Sequence, residues 1–101
     1  MKSRRDLLDA LDQQVKAVAG ARGCDEAQML LAVIEESGEG VLGELVRFCQ
    51  RLGDETAADF LALTSILAND VKAREQAREV LAQLEARGVS PRSAFLPALR
   101  Q

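Results

Sequence analysis

A chain of 101 residues, 48% hydrophobic and 29% charged, has the size and proportions of one ordinary domain that buries its core without metal or disulfide staples. With a net charge of −3 and no His, Trp or Tyr, it lacks the usual general base and metal ligand and most of the aromatic platforms on which bases and sugars stack. No apolar run reaches membrane-spanning length and no cleavable signal pattern opens the sequence, so it reads as a soluble cytoplasmic protein with no membrane partner and no cofactor.

Charge is distributed in blocks. Residues 1–22 carry five bases and three acids, and residues 23–44 carry six acids and no base. Residues 45–71 carry two bases and four acids, and residues 72–101 carry six bases and three acids. An acidic middle between basic ends can steer a partner or orient a self-assembly, although most such charge is simply solvated helix surface.

Ser3 and Asp6 make a start like a capping box, and Leu7 or Leu8, Leu11, Val15 and Val18 then form one stripe. The first helix is therefore expected from about Arg4 to Ala19 or Arg22. Gly20 and Gly23 mark a turn, after which Asp25 and Gln28 supply a second box-like start. Ala27, Met29, Leu30, Leu31, Ala32, Val33 and Ile34 make the second helix apolar nearly all round, so it is expected to be the most buried element.

Glu35, Glu36, Ser37, Gly38, Glu39 and Gly40 close that helix. Acids at a helix C-terminus oppose the helix dipole, and a cation or a basic partner would relieve them. The spacing does not match a calcium loop. Val41, Leu42, Leu45, Val46, Phe48, Cys49 and Leu52 form a third helix that stops at Gly53. Cys24 and Cys49 stand in no metal-type spacing and read as two reduced thiols, Cys49 in the core, with a bridge between them left open.

Gly53 to Gly88 encloses thirty-four residues without Gly or Pro. Phe60, Leu63, Leu67 and Val71 define a buried stripe that resumes at Ala77, Val80 or Leu81, and Leu84. A single helix of roughly 50 Å fits this stretch. So do two helices broken at Asn69 and Asp70, with Asn69 capping the second; the break is favoured because the first half is broadly apolar and the second only narrowly so. Asp54 or Thr56 would cap the first half. Ser90 and Pro91 are placed to open a short C-terminal helix carrying Phe95, Leu96 and Leu99, limited by Pro97.

A displacement of 30 residues lays Ala27, Leu30, Leu31, Ala32 and Val33 on Ala57, Phe60, Leu61, Ala62 and Leu63, and one of 32 lays Leu45, Phe48, Cys49 and Leu52 on Ala77, Val80, Leu81 and Leu84. Ala73, Arg74, Ala77, Val80, Leu81 and Leu84 resemble the second helix of a HEAT-type repeat. That resemblance implies stacked hairpins with a groove for peptides or helices. The fold expected is a single all-α domain over residues 1–101, of about five helices packed as antiparallel hairpins with a short C-terminal helix.

Chemistry is hard to place on this chain. Glu35 with Glu39, and Asp6 with Asp9, stand at helical spacing without a cleft to separate their pKa values. Gly38, Gly40 and Gly43 lack the Lys and Ser or Thr of a phosphate loop, and Thr64 and Ser65 lack a base. The reading is a non-catalytic protein-interaction module, an adaptor, regulator or chaperone-like binder, whose partner is another protein or a second copy in a homodimer. Its contacts are expected at Glu35, Glu36 and Glu39 and at Phe95, Leu96 and Leu99. Surplus apolar surface on the second helix and on the helix of Phe60 supports this. One runner-up is a DNA-associated transcriptional regulator using a weak helix-turn-helix-like segment with Arg92 and Arg100, which the acidic charge disfavours. The other is a small-ligand binder or enzyme with a pocket between helices.

Overall fold

The computed structural model describes residues 4–38 and 40–91, with side chains described from Asp9 onward. Five helices form an all-α bundle: α1 (Arg4–Ala19), α2 (Cys24–Glu36), α3 (Val41–Leu52), α4 (Glu55–Leu67) and α5 (Val71–Ala86). Among the described residues no helix is long and apolar enough to cross a membrane. The short C-terminal helix expected around Phe95, Leu96 and Leu99 lies outside the described residues, as does the Ser3 cap.

α4 is the axis of the bundle, and each of the other four helices packs against it. Ala57, Ala58, Phe60, Leu61, Ala62, Leu63 and Thr64 are all fully buried, so this helix is covered on every side through its middle. Its three alanines keep the cylinder thin, which lets neighbours approach closely, while Phe60, Leu61 and Leu63 fill the space between them. The start is fixed by Asp54, whose carboxylate accepts the Ala57 N–H at 2.9 Å. Gly53, in the left-handed region at φ +59°, turns the chain out of α3 just before it.

The long glycine-free stretch is two helices. Ala68 leaves the helical region, and the chain re-enters it at Val71. Asp70 rather than Asn69 is the cap, its carboxylate accepting the Lys72 N–H at 3.0 Å. α5 ends with the pair of bonds that a left-handed glycine permits, Gly88 N–H to the Glu85 carbonyl at 3.0 Å and Val89 N–H to the Leu84 carbonyl at 2.9 Å. Val89 then packs on the core beside that closed end.

Three expectations are corrected. The second helix is not the most buried element: only Ala27, Leu31 and Ile34 of α2 are buried, because its polar residues Asp25, Gln28 and Glu36 step along one exposed side and hold it at the periphery. It starts at Gly23 with no side-chain cap, so the Asp25 and Gln28 box does not form. Val71 is 54% exposed and leaves the buried stripe, since the chain break turns the register of α5 away from that of α4. The HEAT-like pattern lies on α5. Ala73, Ala77, Val80, Leu81 and Leu84 cover α4 and α3.

Candidate protein-binding face

The acidic end of α2 has a local explanation. Glu35 is half-buried and its Oε1 accepts the Asn69 N–H at 2.8 Å and the Asp70 N–H at 3.4 Å. A carboxylate that opposes the dipole of its own helix is thus set against free amides at the start of α5, where negative charge is favoured. The relief expected from a cation or a basic partner comes from the backbone of the α4–α5 junction. Beside it lies a depression of about 320 Å³ lined by Glu35, Gly38, Gly40, Leu42, Gly43 and Asp70. Both carboxylates there already accept backbone amides.

Glu36 is exposed one residue further on. Glu39, Phe95, Leu96, Leu99, Arg92 and Arg100 lie outside the described residues, so only Glu35 and Glu36 of the sequence-derived candidates have a described position. The structure separates even these two. Glu35 is engaged within the fold and Glu36 lies on the solvent side of α2.

A different feature stands out on α1 and α2. Met29 is 60% exposed and Val33 57%. They belong to a row on α2, Glu26, Met29, Leu30, Val33 and Ser37, that steps by three or four residues and so occupies one side of the helix. Facing it on α1 are Ala10, Gln14 and Ala17 at the same spacing, with both alanines exposed. Between the rows runs an open groove of about 140 Å³ lined by Gln14, Ala17, Val18, Leu30, Val33, Ile34 and Ser37. Large residues form one wall and small ones the other, which leaves room for a third helix to lie along the pair.

Gln14 brings the groove an amide, with one acceptor oxygen and an NH2 donor. Gln14 Oε1 is buried and has no hydrogen-bond partner among the described residues. Among the described residues the Glu26 carboxylate accepts only the Arg22 N–H, at 3.3 Å, and the exposed Glu36 stands three residues after Val33 on α2. Ser37 is spent on its own helix, its hydroxyl donating to the Val33 carbonyl at 2.9 Å. On the opposite flank of α1, Lys16 pairs with Asp12 at 2.8 Å, and that hydrogen bond holds its ammonium above the ordinary lysine pKa.

The seam between α3 and α5 has another character. Val46, Arg47, Gln50, Gln76, Glu79, Val80 and Gln83 line about 200 Å³, and the Gln50 amide donates to Gln83 Oε1 at 3.2 Å across it. Arg47, at its edge, pairs with Glu44 of its own helix at 3.0 Å. The two thiols are free, Cys24 half-buried and Cys49 buried, where desolvation pushes the Cys49 pKa from 9.0 up to about 12.

Surplus apolar surface was legible on two helices, and the fold consumes one of them. The middle of α4 is covered completely and α2 is not. Met29, Val33, Gln14 and Ala17 are absent from the sequence-derived site. The signal that finds them is the row Asp25, Gln28 and Glu36, which requires a wet side on α2 and leaves Met29 and Val33 at its edge. No protein-family model, curated protein or solved structure matches the chain.

Proposed function

We propose that this chain is a non-catalytic protein-interaction module of the cytoplasm, a small adaptor or regulator that offers the α1–α2 groove to another protein, chaperone-like in presenting an apolar surface. One observation carries the reading: Met29 and Val33 are more than half exposed, side by side, on a helix whose other side is anchored in the core. Isolated exposed apolar residues are ordinary, but a row of them beside a groove between two helices, with Leu30 and Val33 in its wall, suits a helix-in-groove binder. Glu36, exposed three residues after Val33, keeps its place among the proposed contacts.

The test is capture from native lysate by the tagged protein, wild type against the Met29→Asp, Val33→Asp double variant. Both positions are exposed, so the variant should keep the wild-type circular dichroism and melting temperature. A stoichiometric protein captured by the wild type and lost in the variant is the expected result. A partner retained by the variant moves the contact elsewhere, and no partner at all removes the proposed function.

A further inference from the structure

We infer that the occupant of the α1–α2 groove is a basic amphipathic helix, one that lays leucine-like residues on Met29, Leu30 and Val33 and sets arginine or lysine against Glu26, Glu36 and Gln14. The inference rests on the groove being a protein-docking face and adds the chemistry of what docks.

Charge is the first argument. α1, α2 and the turn between them carry seven acids and four bases, and α2, which bears the exposed row, carries four acids and no base. Lys16 is held by Asp12, Arg22 stands in the turn, and Arg4 and Arg5 open α1. α5, by contrast, carries Lys72, Arg74 and Arg78 against Glu75, Glu79 and Glu85, an even balance. The exposed apolar row therefore lies on a helix whose charged residues are all acids, and like charge on a partner would be repelled there.

Hydrogen bonding is the second. Gln14 Oε1 is a buried acceptor without a donor among the described residues, and the carboxylates of Glu26 and Glu36 offer further lone pairs at either end of the row. A guanidinium supplies donors in a planar fork and is the side chain best matched to carboxylates at an interface. The spacing agrees: Glu26 and Glu36 are ten residues apart on one helix, about 15 Å along its axis, so an occupant of three to four turns reaches both.

The same charges speak against a second copy. A two-fold axis through Leu30 and Val33 would bring Glu26 of one chain up to Glu36 of the other, acid on acid at both ends of the contact.

The experiment uses the full chain and two labelled, end-capped peptides of about 15 residues, each with leucines at three- and four-residue spacing. One carries arginine at the flanking positions and the other glutamate. Fluorescence anisotropy at low and raised salt reads binding, and sedimentation of the chain alone reads its assembly state. The arginine peptide is expected to bind at least about 10-fold more tightly than its glutamate counterpart, and less tightly as salt rises. Val33→Asp should abolish binding, and the Glu26→Lys, Glu36→Lys double variant should reverse the preference.

Equal binding of the two peptides that still depends on Val33 overturns the basic occupant and leaves the docking face intact. Binding of the arginine peptide unaffected by Val33→Asp overturns the placement in the groove. Binding of neither peptide overturns the inference outright. A dimer that Val33→Asp converts to monomer makes a second copy the occupant and overturns it as well.

Discussion

α2 and α4 match at a displacement of 30 residues, yet their fates differ. Ala57, Phe60, Leu61, Ala62 and Leu63 are all buried, whereas of Ala27, Leu30, Leu31, Ala32 and Val33 only Ala27 and Leu31 are. What separates the two helices is not their apolar residues but their polar ones. α2 carries Asp25, Glu26, Gln28, Glu35 and Glu36 over 13 residues, and α4 carries Glu55 and Asp59 as its charged residues over the same length. A bundle of five short helices has one centre, and the helix with fewer groups to desolvate takes it. The helix left at the rim keeps an apolar edge in water, and that edge is the candidate site.

The comparison breaks if the aligned positions respond alike to truncation. Phe60→Ala should cost about 3–5 kcal/mol and Leu63→Ala about 2–5, while Val33→Ala should stay within about 0.5 kcal/mol, all by urea denaturation. A Val33→Ala penalty near that of Leu63→Ala would mean that α2 is covered in solution.

The two thiols extend the contrast. Cys49 is held protonated up to about pH 12 in the fold, whereas an unfolded thiol ionises near 9.0. Above that value only the unfolded chain loses the proton, so this group lowers stability by about 1.4 kcal/mol per pH unit until its folded pKa is reached. Thiol reagents at neutral pH should label Cys24 in the native protein and reach Cys49 only in denaturant. Two thiols labelled under native conditions would show the core of α3 to be open.

Smaller effects sharpen the same picture. Asp54→Ala should remove about 1 kcal/mol by freeing the Ala57 amide, read as a lower denaturation midpoint at unchanged slope. Thr64→Val should raise stability by about 1 kcal/mol, because the Thr64 hydroxyl is buried on α4 without a hydrogen-bond partner. Its neighbour Ser65 shows the satisfied alternative, donating to the Ala62 carbonyl at 2.7 Å. Last, Gly23→Asp should add a few tenths of a kcal/mol as a higher melting temperature. Gly23 stands at the uncapped start of α2 in extended backbone, with nothing within 4 Å of an added Cβ.

The helices themselves were legible because Gly20, Gly23, Gly53 and Gly88, the cap Asp54 and the spacing of Leu11, Val15 and Val18 are local signals. Which helix takes the centre is a global competition, and the apolar run of α2 hid the polar row beside it. Asn69 against Asp70 as cap was undecidable locally. Either side chain can cap, and the structure has Asp70 in that role while Glu35, distant in sequence, accepts the Asn69 and Asp70 amides. For the site, Glu35 and Glu36 were both recognised as needing a reason. Only the tertiary structure shows that one is answered inside the fold and the other is left exposed.

The Glu35 contact also bears on the order of events in folding. Asp54 caps α4 from three residues away, so that helix can begin before the chain collapses. Glu35 reaches amides 34 and 35 residues later and cannot bond them until α2 and the α4–α5 junction have met. Loss of the Asp54 carboxylate should therefore slow folding, whereas Glu35→Ala should leave the folding rate nearly untouched and speed unfolding. The acidic end of α2 is in this sense a late latch, closing the junction after the central helix is in place.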